Sequence, residues 1–300
     1  MINKGLSYVG LFFLYLVSLL PFWLLYLLSD ALFIIIYYVI RYRRDVVKEN
    51  LNNAFPEKTG RERRTIQRRF YRYLADLIVE TIKLFTISEK TLARHIKGLN
   101  TELAIDALAK GRSMVGAVGH YGNWEIAALE LSTLVANPKI IVYKPLTNET
   151  FDQSFKKMRS RFGATLVSMK NAVRTIAKHR HEAVFSVLVS DQTPVREDSK
   201  YFINFLNQPT AIFLGIEKMA KMTDAMVVFC DLRRVKRGYY EYRFIPLFDN
   251  PKNTADYEIT KAHVQYLEKV IREEPAYWLW SHKRWKFKPG DSGVNGVNIP

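Results

Sequence analysis

The chain has 300 residues, of which 45 are lysine or arginine and 29 are aspartate or glutamate, so its formal net charge is +16. An apolar content of 48% excludes a disordered chain, and a single cysteine, Cys230, excludes an internal disulfide framework. The excess of positive charge predicts an anionic partner, which could be a phospholipid surface, a phosphorylated or acidic ligand, or nucleic acid.

The N-terminal region is strongly apolar. No charged residue occurs between Lys4 and Asp30, and the run from Leu6 to Leu28 would span about 35 Å as a helix, enough to cross a hydrocarbon core of about 30 Å. Pro21 lies inside this run and either kinks the helix or ends it. A buried core helix is the competing interpretation, but length and composition favour a membrane-anchoring helix.

The charges beside this apolar region predict its orientation. A second apolar run over 31–40 is followed by a group of cations, Arg41, Arg43, Arg44 and Lys48. By the positive-inside rule, the chain after the anchor lies on the cytoplasmic side of the membrane. We therefore expect a membrane anchor over residues 1–44 and one domain over residues 45–300.

The rest of the chain alternates between short β-branched runs and amphipathic stretches. Strands are predicted at 114–119, 140–143, 165–169, 183–190, 225–235 and 239–246, and helices at 61–85, 124–134, 149–162, 172–178, 211–222 and 254–272. This pattern indicates an α/β fold, a mixed sheet flanked by helices, whose chemistry lies in the loops at the strand ends.

The most informative motif follows the first predicted strand. His120 ends that strand, Gly122 provides a turn, and a helix begins near Trp124, so the imidazole is held by the sheet and open to a cleft. Glu125 can reach back to the ring and orient it while the ring takes a proton from a hydroxyl. Such base catalysis contributes about 10²- to 10⁴-fold in rate. A structural histidine that caps the helix is the competing interpretation.

Other catalytic motifs do not occur in the sequence. Gly116, Gly119 and Gly122 recur every third residue, which is not the dinucleotide-binding pattern, and there is no phosphate-binding loop or G-x-S-x-G turn. No His, Cys, Asp and Glu spacing is typical of a metal site. We therefore expect a reaction without a metal or an organic cofactor.

Several further blocks match a known family in the same order. They are 142–146 with Asn148, 158–163, Asp191-Gln192, 205–209, 271–275 and 280–286. With the His120–Glu125 motif, these blocks make the chain resemble the lipid A biosynthesis acyltransferases, the lauroyl and myristoyl transferases of Gram-negative inner membranes, over nearly its whole length. Two positions depart from the family pattern: Asn207 replaces a usual glycine, and Trp278 replaces a usual tyrosine.

The resemblance implies acyl transfer from an acyl carrier protein thioester to a hydroxyl on a lipid A precursor, which gives an acyloxyacyl group. It also implies a sandwich similar to that of glycerolipid acyltransferases, with the His–acidic pair as base and orienter. The expected partners are acyl carrier protein, a phosphorylated glycolipid acceptor and lipid of the inner membrane. The acyl-chain length, coenzyme A as the donor, and an aminolipid, phospholipid or other glycolipid acceptor stay open.

Beyond His120 and Glu125, the candidate site residues form two groups. Those expected to bind the oxyanion or substrate are Arg159, Asn123, Asp191, Gln192 and Lys144, with backbone N–H groups near Gly122 as further donors. Those expected to contact phosphate or membrane are Arg161, Lys283, Arg284 and Lys286. The last three alternate with aromatic residues, which suits a lipid headgroup boundary but could also stack nucleic-acid bases. The anchor favours lipid, so no nucleic-acid partner is expected.

Overall fold

The computed structural model describes residues 4–179, 181–199, 201–291 and 297–298. It begins with two apolar helices, α1 (Lys4–Leu19) and α2 (Phe22–Ile34), and α2 continues as a π-helix over Ile35–Val39. The two are separated at Pro21, because the residue before a proline is disfavoured in helical conformation. Of the two alternatives for Pro21, the structure has the one in which a shorter helix ends before it. Among the described residues, one helix, Phe22–Val39, is long and apolar enough to cross a membrane.

Both N-terminal helices pack on the rest of the protein. α2 lies along the long helix α4 (Gly60–Lys83), and α1 contacts α4 and α8 (Glu149–Arg159). Phe33, Ile36 and Tyr37 belong to the same buried cluster as the side chains of α4 and the central sheet. The predicted boundary at residue 44 thus lies between segments that share one hydrophobic core.

The opposite side of α1 and α2 is exposed and apolar. Its large exposed side chains are Leu6, Tyr8, Val9, Phe12, Phe13, Tyr15, Leu16, Leu19, Trp23, Leu27, Leu28 and Ile34. A contiguous apolar surface of this kind is typical of a protein or membrane contact.

Together with α4 and α8, the remaining elements include every strand and helix predicted from the sequence, with ends that differ by a few residues. The helices are α3 (Arg44–Ala54), α5 (Glu89–His95), α6 (Glu102–Ala109), α7 (Trp124–Leu134), α9 (Ala172–Lys178), α10 (Gly215–Thr223) and α11 (Glu258–Glu273). The strands are β1 (Ile96–Gly98), β2 (Met114–Val118), β3 (Lys139–Tyr143), β4 (Thr165–Ser168), β5 (Phe185–Val189), β6 (Tyr201–Phe205), β7 (Gln208–Ala211), β8 (Met226–Lys236), β9 (Tyr239–Phe248) and β10 (Val297–Asn298).

Seven strands form the central sheet in the order β1-β9-β8-β2-β5-β3-β4. The strands from β8 to β4 are parallel, whereas β9 runs antiparallel to β8, so the predicted mixed α/β sheet flanked by helices is confirmed. β2 and β5 are neighbours in the centre, with Val118 paired to Val189. Because parallel strands end at the same edge, the residues that follow these two strands meet there.

A second sheet was not predicted. The strands β6 and β7 form a hairpin over 201–211, and β10 pairs with β6. The turn places Leu206 and Asn207 at φ values of 50° and 63°. This left-handed conformation favours glycine and tolerates asparagine, which explains why Asn207 can occupy the position where the family usually has glycine.

Candidate active site

His120 and Asp191 lie in direct contact at the edge where β2 and β5 end. The His120 Nδ1 atom is 2.6 Å from Asp191 Oδ1, and the backbone N–H of His120 donates to Asp191 Oδ2 at 2.7 Å. An acceptor at Nδ1 keeps the proton of the neutral ring on that atom and leaves a lone pair on Nε2. The imidazole side chain is 18% exposed, against 2% for the carboxylate. The structure thus binds the ring through Nδ1 and leaves Nε2 as the nitrogen that could accept a proton.

Asp191 is held as an anion by its surroundings. Burial alone would raise the pKa of Asp191, but His120 and the indole N–H of Trp278, which donates to Oδ2 at 2.7 Å, outweigh burial and lower that pKa to about 2. The carboxylate is therefore ionised at neutral pH. A fixed negative charge against Nδ1 stabilises the imidazolium that forms when Nε2 accepts a proton.

Two further side chains, those of Gln192 and Trp124, contact the imidazole of His120. The Gln192 Nε2 amide lies 3.2 Å from His120 Nε2, and the Trp124 ring packs edge-on to the imidazole with their centroids 4.8 Å apart. The amide donates to the lone pair that an incoming hydroxyl would occupy. Asp191 and Gln192 thus contact the base directly, as expected for residues at the end of an apolar strand.

The predicted contact between Glu125 and His120 is corrected by the structure. Both Glu125 carboxylate oxygens accept from the guanidinium of Arg159, whose Nε atom is 2.7 Å from Oε2. The indole N–H of Trp124 donates to the same carboxylate. The buried Glu125 carboxylate is therefore bound by Arg159 of α8 and does not contact His120. Asp191 is the carboxylate that holds the imidazole in its orientation.

The expected role of Asn123 in substrate binding is also corrected. Its Oδ1 atom accepts the N–H of Ile126 and caps α7, while its Nδ2 donates to the buried carboxylate of Glu80 at 2.7 Å. The Gly122 N–H, expected to be an oxyanion donor, donates instead to the carbonyl of Tyr277. Both groups shape the turn between His120 and α7.

We expect Asn123→Ala to lower the free energy of unfolding by about 2–3 kcal/mol, because α7 loses its cap and Glu80 loses a donor. Asn148→Ala is the matched control, since Asn148 caps α8 without a buried carboxylate partner, and it should cost about 1 kcal/mol. Chemical denaturation of the detergent-solubilised proteins, followed by tryptophan fluorescence, measures both. Equal losses would contradict the role given to Glu80.

The predicted phosphate- and membrane-contacting cations separate into two groups. Arg284 is 1% exposed and therefore does not have the expected role. Arg161 is exposed and donates to the carbonyls of Leu84 and Ile87, and its phosphate or membrane contact stays a prediction. Lys283 and Lys286 are exposed on the C-terminal segment, and their role in membrane contact stays a prediction.

Lys144 is exposed after β3, and its substrate role stays a prediction as well. The aromatic residues of the C-terminal segment point inward, since Trp280 is 0% exposed and Phe287 is 8% exposed. The segment therefore lacks the exposed aromatic stripe that base stacking requires.

Trp278 contributes to the site although no role was predicted for it. Its indole N–H binds Asp191, and its own position is fixed by a backbone bridge to Tyr121. The only signal in the sequence was the departure from the usual tyrosine at this position. Over the described residues, no group of His, Cys, Asp and Glu side chains is arranged to hold a metal ion.

Comparisons with known proteins agree with the resemblance seen in the motifs. The family model for bacterial lipid A biosynthesis acyltransferases matches residues 1–287. The chain is similar to a lipid A biosynthesis acyltransferase of Haemophilus influenzae, with 25% identity over 281 residues that cover 91% of this chain and 85% of that protein.

Two Escherichia coli proteins are similar over comparable lengths. The lipid A biosynthesis lauroyltransferase is 26% identical over 289 residues, covering 95% of this chain and 92% of its own. The lipid A biosynthesis palmitoleoyltransferase is 23% identical over 297 residues, covering 96% and 94%. The chain therefore belongs to the bacterial lipid A biosynthesis acyltransferase family and is an O-acyltransferase.

Proposed function

We propose that this enzyme transfers a fatty acyl group from an acyl carrier protein thioester to a hydroxyl of a lipid A precursor and so forms an acyloxyacyl ester. One observation carries the mechanism: His120 Nδ1 lies 2.6 Å from Asp191 Oδ1, which leaves Nε2 as the ring nitrogen that can accept a proton. His120 is the general base, and Asp191 rather than Glu125 orients it.

In the reaction, the acceptor hydroxyl gives its proton to His120 Nε2 while its oxygen attacks the thioester carbonyl. The tetrahedral intermediate carries a negative charge on the former carbonyl oxygen. When that oxygen reforms the carbonyl, the carbon–sulfur bond breaks, and the imidazolium returns the proton to the departing thiolate. Asp191 stabilises the imidazolium between these two proton transfers, so no covalent enzyme intermediate is needed.

Arg159 and Gln192 are the proposed donors for the oxyanion. The described contacts of Arg159 with Glu125 use its Nε and Nη2 atoms, and this bidentate pair fixes the orientation of the guanidinium. The Gln192 amide is within hydrogen-bond distance of the base and hence close to the reacting hydroxyl. Loss of one such donor typically costs about 3–4 kcal/mol in the transition state.

The apolar surface of α1 and α2 supports membrane attachment. A helix over Phe22–Val39 has the length and composition of a span, and α1 adds an exposed apolar face beside it. The cations that follow, among them Arg41 and Arg43, favour the cytoplasmic face of the inner membrane for the body of the enzyme.

The proposal is tested with purified enzyme in detergent, an acyl carrier protein loaded with chains of different length, and a panel of acceptors. We expect intact-lipid mass spectrometry to show one added acyl chain on a phosphorylated lipid A precursor and none on a phospholipid or an aminolipid. The acyl-coenzyme A of the same chain serves as the matched donor. Acylation of a phospholipid or aminolipid alone would contradict the acceptor, and equal rates with coenzyme A would contradict the donor.

A further inference from the structure

Arg284 is a buried cation that the mechanism above does not use. It is 1% exposed, and its Nη2 atom donates to the carbonyl of Ala211 at 2.6 Å. Its Nε and Nη1 atoms are also buried, and no protein atom in the described part of the chain accepts from them. Burying a guanidinium with so few partners costs several kcal/mol, so its retention calls for a compensating interaction.

A small cavity behind Asp191 provides the place for that interaction. Its polar lining consists of Ser190, Asp191, His263 and Arg284, and the remainder of the wall is apolar. His263 Nε2 is a third buried nitrogen without a protein partner among the described residues. The space is sufficient for about one water molecule, and a buried water requires two to four polar partners of this kind.

The charges around Asp191 show what such a link would do. The carboxylate faces His120 from β2, His263 from α11, His282 and Arg284 from the C-terminal segment, and the hydroxyl of Tyr73 from α4. Burial lowers the pKa of His263 and of His282 to about 4, so both rings are neutral at pH 7.

Arg284 stays charged in this environment. Burial lowers its pKa to about 10, and Asp191 opposes that change. At neutral pH, therefore, Arg284 is the permanent positive charge of this group, and His120 is the one that changes its charge during the reaction.

We propose that a water molecule in this cavity links Arg284 to Asp191, which makes Arg284 a positioning residue for the base. The inference rests on the proposed role of His120. The water accepts from the guanidinium and donates to the carboxylate, so Asp191 is held from both sides. The positive charge behind the carboxylate also opposes the positive charge that forms on His120 when the ring accepts a proton.

Arg284→Met and Arg284→Lys test this arrangement, with Arg94→Gln, an exposed arginine of α5, as the control. Histidine NMR measures the titration of His120, whose signal is assigned with His120→Gln. We expect Arg284→Met to move the acid limb of the kcat/KM profile and the NMR titration curve to higher pH, because the variant lacks the positive charge behind Asp191. Arg284→Lys and Arg94→Gln should leave both readings near the wild-type values.

A crystal structure of the wild-type enzyme gives an independent reading if Arg284→Met fails to fold. A water within hydrogen-bond distance of both Arg284 and Asp191 supports the proposal, and a dry cavity or a direct ion pair overturns it. An unchanged His120 titration in folded Arg284→Met overturns it too. Because neither the NMR titration nor the crystal structure depends on turnover, an inactive wild-type enzyme would refute the proposed function without deciding this point.

Discussion

His120→Ala is expected to reduce kcat for acyl transfer by about 10²- to 10⁴-fold, because the acceptor hydroxyl loses the group that takes its proton. The substitution removes an imidazole that is partly open to the cleft, so the fold should persist. Initial rates with a lipid A precursor, measured by mass spectrometry, give the loss. The KM for the acceptor should change little, since the missing interaction forms only as the reaction proceeds.

His179→Ala is the matched histidine control for this experiment. His179 follows α9 at the surface, where its ring contacts Glu182, and its loss should leave kcat and the thermal midpoint as they are in the wild type. A folded His120→Ala enzyme with a rate close to that of His179→Ala would contradict the assignment of His120 as the base.

Asp191→Asn is expected to lower kcat/KM by about 10³- to 10⁴-fold, by the reasoning that applies to the carboxylate of a catalytic triad. The substitution keeps the size of the side chain but removes the charge that stabilises the imidazolium. Loss of that charge makes the imidazolium harder to form, so the acid limb of the kcat/KM profile should move to lower pH. A pH–rate series between pH 5 and 9, chosen to bracket the ordinary histidine pKa of about 6.5, measures the shift.

Glu125→Gln separates this assignment from the one predicted by the motif spacing. Because Glu125 binds Arg159 rather than His120, its neutral variant should weaken the link between α7 and α8 and reduce kcat without moving the acid limb. If Glu125→Gln moved the acid limb and Asp191→Asn did not, the roles given to the two carboxylates would have to be exchanged.

Much of the scaffold could be predicted from local sequence patterns. The strands β2 and β5 are short apolar runs, and each is followed by polar residues, so their type and approximate ends were predictable. His120 and Asp191 could both be named as site residues on this basis. Their contact could not, because it depends on β2 and β5 being parallel neighbours, and strand order is a property of the whole sheet.

The predictions for Glu125 and Arg284 were wrong because they were based on the residues nearby in the sequence, whereas contacts with distant parts of the chain determine both positions. Glu125 is near His120 in sequence, but Arg159 offers its carboxylate two hydrogen bonds from a neighbouring helix. Arg284 was assigned to the surface because it lies among lysines, although its segment folds inward beneath Asp191. In both cases the deciding partner is far away in sequence, and only the three-dimensional arrangement identifies it.

The packing of α1 on α8 determines how a water-soluble form of this enzyme can be made. Asn148 at the start of α8 donates to the hydroxyl of Ser7, and Gly10 lies against Phe151, so α1 braces the helix that ends in Arg159. Deletion of α1 and α2 would expose the side of α4 on which they pack. It would also remove contacts that hold α8, the helix that ends in the proposed oxyanion donor Arg159. Solubility is better sought by replacing the outward-facing residues of α1 and α2 than by cutting the helices away.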